Sequence, residues 1–280
     1  MKQRVITGIL LILLLITMLV LPGWCMALAT LICTGFAVWE EYHALKLAGH
    51  RVVSWPTWVF LAVSIPITRV FGYKAMVPLL GLTLFIIVIV ILFRKDPELT
   101  DLSMSALPLL TVMLPGLCLV AMSLANQKAV EVILLTLTYA VPLVGDTTAL
   151  FVGSAVGGRK LGPAVSPKKT LSGSIGGLVG SLIAAMIVYG IAQALCNEAT
   201  LAKLPQWWEY MLLGLFGGAA GQIGDLFASL VKRHSGIKDF SNLFPGHGGM
   251  LDRLDSVLFM AVLMYCYLLF FRAPIVIPVG

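Results

Sequence analysis

The amino-acid sequence predicts an all-α, polytopic integral membrane protein. Apolar residues make up 59% of the 280 residues and charged residues only 11%, whereas soluble domains are about half apolar and about a quarter charged. The mean hydropathy is +0.99. The apolar residues are gathered in long runs, and short segments that contain most of the charge separate these runs. We therefore expect a single membrane domain, residues 1–280.

About nine of the apolar runs are long enough to cross a bilayer as helices. The predicted transmembrane helices are residues 5–22, 24–45, 57–72, 76–93, 104–124, 130–153, 172–196, 207–232 and 254–272. Residues 1–130 then contain the N-terminal spans, and residues 131–280 contain candidate catalytic spans with the most charged loops. The first run follows a basic start, as in a secretory signal, but bulky Trp24 stands where cleavage needs a small residue. We therefore expect a retained first helix.

The loop charges predict how the chain is oriented. With nine spans, most of the 19 Lys and Arg residues, including both charged motif regions described below, fall on the side that holds the N-terminus. The positive-inside rule then predicts a cytoplasmic N-terminus and a multi-pass protein of the cytoplasmic (inner) membrane. The net charge of +6 favours contact with anionic lipid or phosphate ligands. Nucleic acid is excluded as a partner, because no extramembrane segment is large enough to bind it.

The most informative stretch is residues 229–255, S-L-V-K-R-H-S-G-I-K-D-F-S-N-L-F-P-G-H-G-G-M-L-D-R-L-D, between two apolar spans. Its glycines let backbone N–H groups approach a ligand closely, and amides before a helix start can bind an anion. Its basic residues supply countercharge for phosphate, and its aspartates supply hard oxygen ligands for a divalent cation. This composition predicts a phosphate and metal site beside the bilayer. The alternative is a solvated loop rich in turn residues.

A second polar region starts at Asp146, in the C-terminal half of the sixth predicted span, and ends at residue 170. A carboxylate inside a span costs about 2.5 kcal/mol or more unless it faces a polar cavity or a partner. The sequence continues with Gly157-Gly158-Arg159-Lys160 and Ser166-Pro167-Lys168-Lys169-Thr170. We interpret this segment as a phosphate-binding loop, although it contains no Walker A motif. For Asp146 the alternative is a helix cap or an ion pair with a nearby arginine.

Asp225 is another carboxylate within a predicted span, and no basic residue follows it before Lys232. A bound cation is the best explanation for this carboxylate. The same span and the preceding one are rich in glycine, in residues 214–224 and 173–180. Small residues at such spacing allow close contact between helices, and a lipid-accessible cleft is the alternative.

Residues 229–255 resemble the signature of the phosphatidate cytidylyltransferases, also called CDP-diacylglycerol synthases. The matching positions are Ser229, Lys232, Arg233, Lys238, Asp239, Phe244, Pro245, Gly246, His247, Gly248, Gly249, Asp252, Arg253 and Asp255. The second polar region resembles the family pattern at Asp146, Thr147, Ala149, Gly153, Arg159, Leu161, Pro163, Ser166, Pro167, Lys169 and Thr170. One departure is Ser172, where the family commonly has Glu or Gln, and a serine lacks the reach of those side chains.

The resemblance implies transfer of a cytidylyl group from CTP to phosphatidate, which gives CDP-diacylglycerol and pyrophosphate. It implies Mg²⁺ as cofactor, with room for a second, monovalent cation, and links Asp225 and Asp252 to the metal. The expected catalytic residues are Asp225, Asp252, Lys232, Arg233 and His247. The expected substrate-binding residues are Asp146, Ser166, Lys168, Lys169, Lys238, Gly248, Gly249, Arg253 and Asp255. The site is expected to face the cytoplasm, and a homodimer through the Gly-rich spans is a further expectation.

Three local roles stay open. His247 either contacts phosphate or shapes the glycine turn, and Arg253 pairs either with a neighbouring aspartate or with the substrate. The second span ends in Trp39-Glu40-Glu41-Tyr42-His43, which we interpret as an aromatic and acidic membrane boundary. The resembling family often has a W-E pair there, so a functional role for the acidic residues is the alternative.

Other classes of protein remain as alternatives. A CTP-dependent lipid kinase or a cytidylyltransferase for ether lipids would also need phosphate contacts and a metal. A transporter would explain the intramembrane carboxylates Asp146 and Asp225 as well. Against a transporter, no inverted repeat is seen, and the charged motifs fall on one face of the membrane.

Overall fold

The computed structural model describes residues 23–71, 75–124 and 128–271, together with 13, 15–17, 19 and 21. The helices, numbered here from residue 23, are α1 (Gly23–Leu47), α2 (Trp55–Phe71), α3 (Met76–Leu92), α4 (Leu99–Pro108), α5 (Leu114–Ser123), α6 (Lys128–Val156), α7 (Leu171–Leu195), α8 (Glu198–Leu201), α9 (Trp207–His234) and α10 (Leu251–Phe271). A π-helical turn, Leu109–Met113, joins α4 to α5. Two short strands, β1 (Lys160–Gly162) and β2 (Ser166–Thr170), lie between α6 and α7.

The structure confirms a helical, polytopic membrane protein. Six described helical segments are long and apolar enough to cross a membrane, namely α1, the continuous α4–α5 segment, α6, α7, α9 and α10. The shorter helices α2 and α3 coincide with the third and fourth predicted spans. Most of the first predicted span, residues 5–22, lies outside the described residues. The number of nine spans and the cytoplasmic N-terminus therefore stay predictions.

One short element departs from the all-α prediction. Strands β1 and β2 pair in antiparallel fashion, with Lys160 opposite Thr170 and Gly162 opposite Ser166. The pairing folds the basic segment back onto the start of α7, where the Thr170 hydroxyl accepts a hydrogen bond from the backbone N–H of Gly173 at 3.1 Å. A segment so short and so rich in Gly and Pro has no alternating apolar pattern, so the sequence gives no sign of these strands.

Helices α6, α7 and α9 pack closely through their glycines. A β-carbon placed on Gly173 would lie 2.8 Å from the carbonyl oxygen of Ala149, and one on Gly214 would lie 2.8 Å from the β-carbon of Ala185. These distances are shorter than van der Waals contact, so larger residues would push the helices apart. The interpretation of these glycines as packing residues is confirmed.

Several segments meet at one end of the bundle. Near the end of α9, Arg233 Nε points at the carbonyl oxygen of Val165 in the hairpin, at 3.4 Å. At the start of α10, Ser256 Oγ donates a hydrogen bond to Asp146 Oδ2 of α6 at 2.9 Å. The chain after α1 reaches the same place, where the rings of His50 and His234 stack. Both polar regions of the sequence therefore lie at the same end of the bundle, as predicted.

Candidate active site

An ion pair joins the two polar regions. Lys169 Nζ, on β2, contacts Asp225 Oδ2, on α9. The two side chains are 27% and 28% exposed, so a ligand can reach the pair from outside the protein. The partner of Asp225 is therefore a lysine that is remote in sequence, and a search for charges adjacent to Asp225 along the chain does not find it.

Asp252 is held more tightly than Asp225. Its Oδ1 lies 2.6 Å from Lys232 Nζ, and its Oδ2 accepts hydrogen bonds from the backbone N–H groups of Phe240 and Gly249, both at 2.9 Å. The Asp252 side chain is 4% exposed and the Lys232 side chain 12%. Both carboxylate oxygens are thus engaged, and the pair fixes the end of α9 to the start of α10. Removing one member of such a buried pair leaves an uncompensated charge.

Two carboxylates, those of Asp146 and Asp255, contact Ser256. The Ser256 hydroxyl donates to Asp146, as described above, and its backbone N–H donates to Asp255 Oδ1 at 2.8 Å. Both carboxylates lie within electrostatic range of Asp225. Neither Asp146 nor Asp255 forms an ion pair with any residue that the structure describes. Three carboxyl groups, including that of Asp225, therefore lie close together beside Lys169.

This donor set has the chemistry that a hard divalent cation requires, because Mg²⁺ prefers carboxylate oxygens. Asp225 is accessible, and Asp146 and Asp255 are near it. Carboxyl groups in an apolar environment are costly without a partner, and a bound cation would supply one for all three. The described side chains nevertheless do not place three His, Cys, Asp or Glu groups in a ready-made metal cluster. For Asp252 to act as the predicted second ligand, one of its oxygens must bind the metal in addition to its present partners.

The basic residues divide into paired and unpaired groups. Lys169 and Lys232 are paired with aspartates. The exposed basic residues of the predicted site are Lys168, Arg233, Lys238 and Arg253. Within the described ranges none of these four forms an ion pair, so the expected pairing of Arg253 with a neighbouring aspartate is not seen. Ser166 begins β2, in the same hairpin as Lys168. The unpaired basic residues are free to contact an anionic ligand.

The glycine turn, residues 245–249, is closed by its own backbone. The N–H of His247 donates to the carbonyl of Phe244 at 2.8 Å, and the N–H of Phe244 donates to the carbonyl of Gly248 at 2.9 Å. Gly246 and Gly248 have φ angles of 80° and 79°, which favour glycine. The buried Nδ1 of the His247 ring has no hydrogen-bond partner in the part of the chain that the structure describes. Backbone geometry thus explains the turn, while the free ring nitrogen suits a contact with a ligand.

Glu40 has a position that favours the functional role, which the sequence analysis gave only as the alternative. It is 1% exposed and its neighbour Glu41 is 0% exposed, so both carboxylates lie inside the protein. The interpretation of residues 39–43 as a membrane boundary stays a prediction. Glu40 accepts hydrogen bonds from the N–H groups of Met250 and Leu251 at 2.9 and 2.8 Å. The predicted anion-binding amides at the start of α10 therefore already face a carboxylate of the protein. The sequence did contain one indication of this role, because a charged residue in an apolar helix needs a polar partner.

Ser172 takes a structural position at the start of α7. Its hydroxyl donates to the carbonyl of Gly157 and lies 3.1 Å from the hydroxyl of Thr170. These contacts tie the hairpin to the end of α6.

The fold and site together define a polytopic helical membrane protein with clustered carboxylates and basic residues at one end of its bundle. The sequence matches the family described as "Cytidylyltransferase family" over residues 2–271, and the chain therefore belongs to this family.

Curated relatives match a shorter part of the chain than the family does. The phosphatidate cytidylyltransferase of Bacillus subtilis (strain 168) is 42% identical over 127 residues, which is 45% of this chain and 44% of that protein. The phosphatidate cytidylyltransferase of Brucella abortus biovar 1 (strain 9-941) is 40% identical over 132 residues, 46% of this chain and 44% of that protein. That of Synechocystis sp. (strain ATCC 27184 / PCC 6803 / Kazusa) is 37% identical over 135 residues, 47% of this chain and 41% of that protein. The matched segments span less than half the length of these relatives.

Proposed function

We propose that the chain is a phosphatidate cytidylyltransferase, which converts phosphatidate and CTP into CDP-diacylglycerol and pyrophosphate. The family membership and the names of the relatives support this reaction. The observation that carries the proposal is the Lys169–Asp225 ion pair, because it brings a phosphate-binding hairpin and a carboxylate cluster to one place. Transfer between two anionic substrates needs both.

The chemistry is a displacement at phosphorus. A phosphate oxygen of phosphatidate attacks the α-phosphorus of CTP, a new P–O bond forms, and the bond between the α-phosphorus and the bridging oxygen breaks. The bonding electrons leave with pyrophosphate. The attacking phosphate is already anionic, so the protein needs to neutralise charge and align the substrates more than it needs a strong base.

The basic residues have distinct proposed roles. Lys168, Lys169, Arg233, Lys238 and Arg253 bind the phosphates of CTP and the lipid, since they lie in the hairpin, at the end of α9, in the following loop and at the start of α10. Ser166 and the amide of Gly248 complete the proposed substrate contacts. The N–H of Gly249, the other predicted contact, already donates to Asp252. The free Nδ1 of His247 binds a phosphate oxygen or protonates the departing pyrophosphate. Lys232 acts through its buried pair with Asp252.

We propose Mg²⁺ as the cofactor. Asp225 and Asp252 are the proposed ligands, and the position of Asp146 and Asp255 near Asp225 supports an added role for these two carboxylates. When bound, the ion neutralises phosphate charge and orients the triphosphate. A monovalent cation is the proposed second ion in the same carboxylate cluster.

The proposed location is the cytoplasmic membrane, with the site open to the cytoplasm. CTP arrives from the cytosol, and phosphatidate stays in the leaflet with its headgroup raised to the site. The charge distribution of the loops supports this orientation. A homodimer is proposed through the glycine-rich helices.

Two alternatives predict different products. A CTP-dependent lipid kinase releases CDP rather than pyrophosphate, and an ether-lipid cytidylyltransferase prefers dialkyl to diacyl substrates. A transporter would convert neither CTP nor the lipid into a product. The ion pair between the hairpin and α9 favours nucleotide chemistry at the membrane surface over transport through the midplane.

Purified protein in detergent tests the proposal with phosphatidate, CTP and Mg²⁺. Mass spectrometry is expected to show CDP-diacylglycerol, with pyrophosphate in equal amount, and Asp225→Asn is expected to form neither. Formation of CDP without CDP-diacylglycerol would refute the proposal. Parallel reactions with dialkyl phosphatidate distinguish the ether-lipid alternative.

A further inference from the structure

We propose that Glu40 is a positioning residue that holds the glycine turn, residues 245–249, and the start of α10 in the geometry the reaction needs. This inference rests on the proposed function. Glu40 lies on α1, about two hundred positions away in sequence from the turn that it contacts. It is buried, so it acts on the site through other residues rather than by touching the substrates.

Both oxygens of Glu40 are used to bind the turn. Its Oε1 accepts hydrogen bonds from the Ser241 hydroxyl at 2.6 Å and from the Met250 N–H at 2.9 Å. Its Oε2 accepts a hydrogen bond from the Leu251 N–H at 2.8 Å. Ser241 precedes the glycine turn and Met250 follows it. One carboxylate therefore connects both sides of the turn to α1.

The contact also provides hydrogen-bond acceptors for backbone N–H groups at the start of α10. The first N–H groups of a helix have no partner within the helix, and the positive end of its dipole favours a negative charge. Just before α10 the Gly249 N–H donates to Asp252, and the next two N–H groups, those of Met250 and Leu251, donate to Glu40. Because Glu40 is 1% exposed, its loss would leave buried N–H groups without an acceptor.

Glu40 and Asp252 are coupled through Gly249. A β-carbon on Gly249 would lie 2.5 Å from both carboxylate oxygens of Glu40, so the backbone approaches this carboxylate as closely as a glycine permits. The N–H of the same glycine donates to Asp252. A displacement of the turn away from Glu40 therefore also displaces Asp252, and with it the ammonium group of Lys232.

Two variants of Glu40 test separately whether the length and the charge of its side chain matter. Glu40→Gln keeps the shape but replaces one acceptor oxygen with an NH₂ group, and Glu40→Asp keeps the charge but shortens the side chain. Glu41→Gln is the matched control. Glu41 is adjacent on α1 and equally buried, but it hydrogen-bonds to Thr111 instead of the turn.

Two measurements are made on the full chain in detergent. Steady-state kinetics gives kcat and KM for CTP, and hydrogen–deuterium exchange reports the backbone of the peptide that covers residues 241–252. We expect both Glu40 variants to lower kcat by about tenfold to a hundredfold, as a misplaced site does, with KM for CTP changed less than about twofold. Exchange should become faster in that peptide and remain unchanged in α6 and α7. Glu41→Gln should match the wild type in both measurements.

Unchanged kcat in both Glu40 variants, or unchanged exchange in the 241–252 peptide, would overturn the inference. So would faster exchange in all helices with a lower melting temperature, since that result assigns Glu40 to general stability. The exchange measurement needs no substrate. A wild-type protein that forms no CDP-diacylglycerol would therefore refute the proposed function, while exchange would still decide whether Glu40 holds the turn.

Discussion

Lys169 Nζ contacts Asp225 Oδ2, so a lysine of the hairpin and a carboxylate of α9 share one position at the end of the bundle. The contact unites two polar regions that are separated in sequence by the whole of α7. Both side chains are partly exposed, and in the proposed function the pair opens to admit a phosphate to the lysine and a cation to the carboxylate. Its proposed role is to place a positive charge for the phosphate next to a negative charge for the cation.

Loss of either member of this pair is expected to abolish most of the activity. Lys169→Met and Asp225→Asn should each lower kcat/KM by about a hundredfold or more, as removal of a charge-stabilising group does in other enzymes. Exchanging the charges, Lys169→Asp with Asp225→Lys, should not restore activity, because each charge has its own ligand.

The control for these variants is a second ion pair, which lies on α6 and away from the site. Lys128 and Glu131 lie 2.9 Å apart at the first turn of this helix, opposite the end that carries Asp146. The double variant Lys128→Met, Glu131→Gln removes both charges and should leave kcat/KM unchanged. An equal loss in the control would show that any ion pair of the bundle affects turnover.

Asp252 should matter for stability as well as turnover. Its pair with Lys232 is buried and it also binds two backbone N–H groups, so Asp252→Asn should lower the free energy of unfolding by about 3–5 kcal/mol. The more exposed Asp225 pair should contribute about 1 kcal/mol or less. Thermal unfolding of Asp252→Asn and Asp225→Asn in the same detergent compares them. Equal melting temperatures would contradict the structural role of Asp252.

Gly248 cannot accept a side chain without strain. Its φ angle is 79°, and a β-carbon there would lie 2.7 Å from Asp252 Oδ2. Gly248→Ala should therefore destabilise the protein by about 1–2 kcal/mol or more and lower activity. Gly190→Ala is the matched substitution, because nothing lies within 4 Å of a β-carbon there. It should leave the melting temperature unchanged or raise it, and a loss equal to that of Gly248→Ala would contradict this account.

Removal of divalent cations should stop turnover without unfolding the protein. Lys169 and Lys232 hold Asp225 and Asp252 in the absence of metal, so the helix content seen by circular dichroism should not change in EDTA. Added Mg²⁺ should restore activity, and Asp146→Asn or Asp255→Asn should raise the Mg²⁺ concentration needed. Full activity in excess chelator would rule out the proposed cofactor.

The sequence predicts the elements better than the contacts between them. Hydrophobic run lengths locate α1 to α7, α9 and α10, because a bilayer imposes both the length and the apolar surface of a helix. The residue spacing in 229–255 locates the glycine turn and Asp252. These are local properties, so a single sequence contains them.

The contacts that organise the site are not local. Glu40 binds residues 250 and 251, and Lys169 binds Asp225 across the intervening helix. No periodicity relates such positions, because the pairing depends on how the helices pack. The burial of a glutamate in an apolar helix signals that a partner exists, but only the fold identifies it.

The most direct test of the central claim follows the phosphorus atoms of CTP. Purified protein, phosphatidate and Mg²⁺ are supplied with CTP that is radioactively labelled at either the α- or the γ-phosphate. Cytidylyl transfer predicts that the α label enters the lipid and the γ label leaves as pyrophosphate. A γ label in the lipid, with the α label left in CDP, would identify a kinase, and no transfer of either label by folded protein would contradict the account entirely.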